Sequence, residues 1–303
     1  MPDESATGLV IANLGHRVAV EDHRGDIHQC VPRRALGAVV CGDRVVWRQE
    51  TQGGCVVTEV LERRTLLGRP DRRGRLKPFC ANIDQLVVVC ALRPDGDGAR
   101  FIDNTAMIDS YLAAAALLGL EATLVINKID LSTPEVLPAI EAVTARYQRI
   151  GYRVLLTSAK DGGGIEELQA ALQRKTSVVA GESGVGKSSL IDILLPEHDV
   201  LVGALSEGSG LGRHTTSVTT LFHLPHGGDI IDSPGVREFR LWQVTPDQLA
   251  RGFMEFEPYI GQCRYRDCRH HGDAGCAIAA AVDAGAIEAQ RLENYRRLLE
   301  SCT

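Results

Sequence analysis

A chain of 303 residues, 44% hydrophobic and 24% charged, has an ordinary globular composition with room for two or three domains. Its net charge of −6 argues against a generic nucleic-acid coat, and an aromatic content of 5% requires mainly aliphatic cores. The polar, acidic start shows no secretory signal, no apolar run reaches membrane-spanning length, and nine scattered cysteines do not look like a disulfide framework, so a reducing cytoplasm is the expected compartment.

From residue 8 to residue 61 the chain runs in short alternating segments: Leu9–Asn13, Arg17–Glu21, Gly25–Cys30, Asp43–Arg48 and Cys55–Leu61. Five such strands predict a small barrel, with an OB-fold as the leading candidate and another barrel of similar size as the alternative. Between Arg63 and Lys77, seven basic residues stand against one acid, Asp71. Pro70, Gly74 and Pro78 mark this stretch as a linker or exposed loop. A local basic arm on an acidic chain points to one dedicated anionic contact, its bland alternative being a solvated tether.

After Asp84 the pattern becomes strand–helix alternation. Leu86–Cys90 reads as a buried strand, Ile102–Leu118 as a helix apolar nearly all round, and Ala122–Ile126 as a strand that ends at Asn127. A helix Glu135–Arg149, a strand Val154–Thr157 and a helix Ile165–Leu172 follow, then a strand Ser177–Ala180. This rhythm predicts a parallel sheet with helices on both faces and ligand sites at the strands' C-terminal ends. Asn127-Lys128-Ile129-Asp130 reads as a guanine-specificity motif, because the Asp130 carboxylate can accept from guanine N1–H and the 2-amino group, a donor pair adenine lacks. Asn127 can hold the loop, the Lys128 stem can lie along the ring, and Ser158-Ala159-Lys160 can offer a backbone N–H to guanine O6.

Gly181-Glu182-Ser183-Gly184-Val185-Gly186-Lys187-Ser188 fits G-x-x-x-x-G-K-S, follows a strand and opens the helix Ser189–Leu195. Its glycines let backbone N–H groups turn onto phosphate oxygens, Lys187 can reach the β- and γ-phosphates, and the Ser188 hydroxyl can ligate Mg²⁺. In an ordinary GTPase this loop precedes the guanine motif. Here it follows, so the domain is circularly permuted.

Strands Leu221–Leu224 and Asp229–Ile231 form an expected hairpin that leads into Asp232-Ser233-Pro234-Gly235. In D-x-x-G, Asp232 holds Mg²⁺ through water and the Gly235 N–H meets the γ-phosphate. Gly208–Ser217, rich in Gly, Ser and Thr, suits a switch that orders on GTP, with Thr215 or Thr216 as the Mg²⁺ ligand. Val236 stands where many GTPases place a water-orienting Gln. His214 is the candidate substitute, against the alternative of a solvent-exposed loop histidine.

Beyond Thr245, helix-like segments surround Cys263-x₄-Cys268-x-His270-x₅-Cys276, a Cys₃His structural zinc set with His271 as a competing ligand. The segment's apolar content looks too low for it to fold alone, so zinc is expected to nucleate it. Arg264, Arg266, Arg269 and His271 would present positive charge to a polyanion. The final helix, Ile287–Glu300, carries Leu292, Tyr295 and Leu299 on one face and leaves Arg291, Arg296 and Arg297 for another.

Taken in order, these motifs, with a barrel before and the cysteine cluster after, closely resemble the bacterial ribosome small-subunit-dependent GTPase A (RsgA) family across nearly the whole chain. Gly212-Arg213-His214-Thr215-Thr216 and Ala81-Asn82-Ile83-Asp84-Gln85 also look like that family's segments. The resemblance implies a multidomain protein: an N-terminal OB-fold barrel with its basic arm (1–77), a circularly permuted α/β P-loop GTPase domain (78–244), and a mainly helical zinc-binding subdomain (245–303). It implies GTP hydrolysis stimulated by the small ribosomal subunit, late maturation of that subunit, rRNA binding, and a switch histidine at His214. Lys187 and Gly235 join His214 as the expected catalytic residues, and Ser189 joins the nucleotide contacts. The expected cofactors are one Zn²⁺ per chain and Mg²⁺ with GTP. The small subunit, its rRNA and GTP or GDP are the expected partners, with no membrane contact and a monomeric state. A short N-terminal extension and Ser217 in place of a third switch threonine are small departures. The alternative is a weakly hydrolysing sensor of GTP and GDP on the ribosome, which Val236 keeps open; a GTPase for a protein or membrane partner is weakened by the lack of a lipid anchor.

Overall fold

The computed structural model of the chain describes residues 5–50, 54–70, 75–95, 98–101, 105–196, 218–233 and 244–302. The fold opens with β1 (Ala6–Asn13), β2 (Val18–Glu21), β3 (Ile27–Pro32), β4 (Arg44–Gln49) and β5 (Cys55–Val60). They close in the order β1-β2-β3-β5-β4-β1, antiparallel except for the β3–β5 pair. This is the OB-like barrel that the alternating pattern predicts. Period-two alternation sends Val10, Val18, Val20, Cys30, Val45, Trp47 and Val57 inward, and β-branched side chains do most of the filling.

Cys30 and Cys55 face each other across β3 and β5, with Cα atoms 4.3 Å apart, and are joined by a disulfide. The two cysteines, 25 residues apart in sequence, meet through the parallel pairing of their strands. Cys41, Cys80 and Cys90 are buried thiols in or beside strands, and burial pushes Cys90 up to about 12.

The basic stretch is not an irregular linker. β6 (Leu66–Pro70) and β7 (Leu76–Ala81) form an antiparallel hairpin with Arg69 opposite Lys77 and Gly68 opposite Pro78. A two-stranded ribbon has outer edges where proline removes no ladder bond, and the register shifts at Leu67/Gly68, so these residues shape a hairpin rather than exclude one. Arg63 and Arg64 of this stretch are committed to structure. Arg63 donates to both Asp43 carboxylate oxygens, at 2.7 and 2.8 Å, and Arg64 donates to Asp84 at 2.8 Å. Arg72 and Arg73 lie outside the described residues.

Strand–helix alternation then follows: β8 (Gln85–Asp95), β9 (Gly98–Phe101), α1 (Thr105–Leu117), β10 (Glu121–Asn127), α2 (Leu137–Ile150), β11 (Arg153–Leu156), α3 (Ile165–Leu172), β12 (Thr176–Ala180), α4 (Lys187–Leu194), β13 (Thr220–His223) and β14 (Asp229–Asp232). The C-terminal region adds α5 (Pro246–Arg251), α6 (Ala277–Asp283) and α7 (Ala289–Cys302). The chain divides into two compact units. One gathers the segment up to Asp84, Ile165–Val179 and the segment from Lys187; the other gathers Gln85–Gly164, Ala180–Gly186 and the C-terminal segment.

In the first unit β12 pairs parallel with β14, β14 pairs antiparallel with β13, and β13 meets β1 at Ala12↔Thr220. His223 reinforces this join. Its ring nitrogens lie 2.6 Å from Asp229 on β14 and 2.7 Å from Glu21 on β2.

In the second unit β11, β10 and β8 run parallel in that order, with β9 antiparallel on the far end of β8. The β8 run from Leu86 to Leu92 is buried throughout, which explains why it is apolar without alternation. Helix α1 is apolar nearly all round because β8 and β10 cover one side and α5 and α7 the other.

The C-terminal region has a core of its own. Phe253, Phe256 and Tyr295 stack with centroids 4.9–5.6 Å apart, joined by Leu249, Ile278, Ile287, Leu292 and Leu299. Its apolar content is thus larger than the sequence reading allowed. Thr245 caps α5 with a capping box through Gln248, and the Cys276 sulfur caps α6. Arg291, expected on a free face of the last helix, is instead 1% exposed. It pairs with Asp109 of α1 and Glu255, its guanidinium 4.5 Å from the Phe253 ring centroid. Among the described residues no helix is long and apolar enough to cross a membrane.

Candidate functional site

Parallel pairing of Ile126 with Leu156 brings the ends of β10 and β11 together, so Asn127–Asp130 and Thr157–Lys160 emerge side by side. The Thr157 N–H donates to the Ile126 carbonyl at 2.9 Å, and its hydroxyl donates to Asn127 Oδ1 at 3.1 Å. That contact fixes the Asn127 amide, whose Nδ2 donates to the Val185 carbonyl of the Gly-rich loop at 2.9 Å. Asn127 is fully buried, so this bond is protected from competing water.

Lys128 adopts a left-handed conformation, φ 62°, and its ammonium donates to the Gly184 carbonyl at 2.6 Å. Two successive residues of the guanine motif thus hold two carbonyls of the Gly-rich loop. Asp130 accepts from the Ser158 hydroxyl at 2.9 Å through Oδ1, and Lys160 Nζ lies 3.8 Å from Oδ2. Ser158 is buried and its N–H donates to the Gly163 carbonyl at 2.9 Å, which closes the turn beneath Asp130.

The loop Gly181–Gly186 follows β12. Gly186 has φ 93°, and a Cβ there would lie 2.4 Å from Asn127 Nδ2, so glycine is required both by the backbone and by the clamp. Gly181 approaches β8 so closely that a Cβ would lie 2.2 Å from the Val89 carbonyl oxygen. Arg93, near the end of β8, donates to Glu182 at 3.3 Å and to the Ser183 carbonyl at 3.4 Å. No local motif marks Arg93, because only the strand's length carries it to the loop.

Lys187, Ser188 and Ser189 form the first turn of α4, where the helix dipole favours an anion. Asp232 ends β14, one position past the Val178↔Ile231 pair, level with the end of β12. Ser233 exchanges a hydroxyl bond of 2.9 Å with Thr219. His214, Thr215, Thr216, Gly235 and Val236 lie outside the described residues.

The four cysteine-cluster residues converge. One ligand atom from each of Cys263, Cys268, His270 and Cys276 lies within 4.8 Å of the others. The three sulfurs stand 3.5, 3.5 and 3.4 Å from His270 Nδ1. A tetrahedral ion with metal–sulfur bonds of about 2.3 Å and metal–nitrogen bonds of about 2.0–2.1 Å has sulfur–nitrogen edges of about 3.5 Å, so the donor set fits such an ion. His270 sits at φ 59°, which turns its ring toward the sulfurs, and burial lowers its pKa and favours the neutral imidazole. Backbone N–H groups of Ala277 and Ala279 donate to the Cys263 and Cys276 sulfurs at 3.3 and 3.4 Å, the support a coordinated thiolate receives. Without a cation, burial and the neighbouring sulfurs push Cys268 up to about 12.

Comparison with known proteins agrees with this geometry. The model of the RsgA GTPase family matches residues 60–242. The small ribosomal subunit biogenesis GTPase RsgA of Azotobacter vinelandii is 48% identical over 298 residues, covering 97% of this chain and 85% of that protein. Its namesake in Sodalis glossinidius is 45% identical over 304 residues, covering 98% and 86%. Among solved structures, YjeQ from Thermotoga maritima superposes with a TM-score of 0.79 at 32% identity over 99% of both chains. YloQ, described as a circularly permuted GTPase, gives 0.76 at 27% identity over 99% of this chain and 95% of that one. The inverted motif order, held together by the Asn127 clamp, is therefore a shared inheritance, and the chain belongs to the RsgA GTPase family.

Proposed function

We propose that this chain hydrolyses GTP on the maturing small ribosomal subunit, grips its rRNA and lets go once GTP is cleaved. The relatives' names supply the small subunit and its biogenesis. The observation that best carries the GTP reading is the buried Asn127 amide, which ties the base-reading loop to the Val185 carbonyl of the phosphate loop at 2.9 Å. In this reading Asp130 accepts from guanine N1–H and the 2-amino group. Since the Ser158 N–H is engaged by Gly163, the Ala159 N–H is the donor to O6. Gly181–Gly186 turn backbone N–H groups toward the phosphates, and Lys187 reaches the β- and γ-oxygens. Ser188, Asp232 and either Thr215 or Thr216 would hold Mg²⁺, which when bound offsets the charge of the β- and γ-phosphates. The Gly235 N–H meets the γ-phosphate, and His214 orients the attacking water that Val236 cannot.

Zn²⁺ is our assignment for Cys263, Cys268, His270 and Cys276, since three thiolates and one imidazole make a closed structural set. We divide the chain into a barrel with its basic arm (1–77), the permuted GTPase domain (78–244) and the zinc subdomain (245–303). The first and last of these grip RNA, and the protein works as a cytoplasmic monomer. GTP turnover measured with and without purified small subunits tests the reading. Strong stimulation is expected, and an unchanged rate would overturn it.

A further inference from the structure

The chain has 2 Trp, 6 Tyr and 6 Phe. Among the described residues Tyr265, at 49%, is the one aromatic side chain with a large exposed surface. It lies in the loop between Cys263 and Cys268, so candidate metal ligands pin the loop at both ends. The backbone between them is held as well. The Arg264 N–H donates to the Gly275 carbonyl at 3.0 Å, and Gly275 sits so close that a Cβ would lie 2.8 Å from Arg264 Cβ. The Arg264 guanidinium lies 5.4 Å from the Tyr265 ring centroid. Arg266 and Arg269 are exposed on the same segment. Of the two acids nearby, Asp273 is engaged by the N–H groups of Arg269 and His271 at 3.2 and 3.1 Å, and Asp267 is exposed beside Arg266.

An exposed aromatic ring on a pinned loop loses little freedom when something stacks on it, and every nucleobase offers a π face. A guanidinium on the ring and arginines beside it add the charge that a phosphate backbone seeks. We propose that Tyr265 is a stacking platform for one unpaired base of an RNA strand, with Arg266 on an adjoining phosphate. The inference rests on the reading of this chain as an rRNA-binding protein and names the chemistry that its cysteine-bracketed loop recognises.

The test uses the full chain with its metal bound, and a fluorescein-labelled single-stranded RNA of about a dozen nucleotides, with a duplex of the same length as the second arm. Tyr265→Ala should weaken single-strand binding about tenfold, the size of one lost base–aromatic stack, and leave duplex binding unchanged. Tyr265→Phe should bind within about twofold of the parent, since stacking needs the ring and not the hydroxyl. The salt slope should be unchanged in Tyr265→Ala and fall by about 0.7 in Arg266→Gln. Metal content and GDP affinity equal to the parent's establish that the variants are folded. Three outcomes overturn the proposal while leaving the RNA reading in place: Tyr265→Ala binding like the parent, a loss that Tyr265→Phe shares, or an equal loss on the duplex. A parent chain that binds neither RNA, yet loses affinity for whole small subunits when Tyr265 is replaced, would assign the ring to a protein contact and overturn both.

Discussion

In the proposed reading Asp130 carries the guanine preference, and the Ser158 hydroxyl donates to its Oδ1 at 2.9 Å. Replacing Asp130 with Asn keeps the shape but turns one acceptor into a donor, which then faces the donor edge of guanine. A hydrogen bond to a charged group is worth about 1.5–3 kcal/mol, so GTP affinity should fall about 10- to 150-fold. Xanthosine triphosphate presents an oxygen where guanine has its amino group, so its affinity should rise. Competition binding with the two nucleotides measures both changes, and equal losses for both would show that Asp130 acts only on the loop. At this scale much was legible in the sequence. Asn-Lys-x-Asp and Ser-Ala-Lys are recognisable by residue type and spacing alone, and the pairing of β10 with β11 brings the two segments side by side. Partners set by tertiary structure stayed hidden. The Lys128 ammonium goes to the Gly184 carbonyl, and Arg93 meets Glu182 only because β8 runs on to Asp95.

Elements were legible where periodicity was strong and illegible where turn residues had two readings. The five barrel strands follow from alternation, and the β13–β14 hairpin from the turn residues His226-Gly227-Gly228 between two apolar runs. The β6–β7 hairpin did not, because its prolines and glycines suit an open loop equally well. The join between barrel and sheet carries a titratable contact. Asp229 and then Glu21 raise the His223 pKa from 6.5 to about 9. A raised pKa means the protonated form stabilises the fold. The contribution is fully present below pH 6.5 and is lost as pH rises through about 9. Because the ring is 51% exposed, screening limits the effect to about 1 kcal/mol. Urea unfolding across that window should show the parent losing about that much relative to His223→Gln, and a flat difference would remove the contact from the stability balance. The cysteine cluster is the second element with a clear test. The Cys268 thiol, pushed up to about 12 by burial, needs a cation to ionise. Chelation should release one metal ion per chain, measured with a chromogenic chelator, and lower the melting temperature. The aromatic core around Phe253, Phe256 and Tyr295 should keep α7 helical by circular dichroism. Complete loss of that helix on chelation would instead make the metal the nucleus of the region.

For the whole molecule, the permuted order makes the C-terminal region a structural part of the unit that holds the guanine motif. Arg291 of α7 reaches Asp109 of α1 and Glu255, and Asn294 donates to Asp109 at 2.6 Å and to the Thr105 hydroxyl at 3.0 Å. Tyr147 of α2 donates to the same carboxylate at 2.7 Å, while Arg149 of α2 donates to Glu288 at 3.0 Å. Burial pushes the Asp109 carboxyl up, and Arg291, Tyr147 and Asn294 oppose that shift. The sequence could not show this network. Arg291 is one of three arginines on a helix whose polar face looked solvated, and only the packing of α7 on α1 separates it from Arg297, 60% exposed. Removing one partner of a buried ion pair leaves the other uncompensated, so Arg291→Met should destabilise the protein by about 3–5 kcal/mol. Neutralising the remaining acids in the triple variant Arg291→Met, Asp109→Asn, Glu255→Gln should restore most of that loss, since neutral side chains no longer leave a charge stranded. Thermal unfolding at fixed metal and GDP concentration compares the three proteins. A single variant as stable as the parent would mean that apolar packing alone docks α7. A triple variant no better than the single would mean that the guanidinium matters for the shape it fills, through its stacking on Phe253, rather than for its charge.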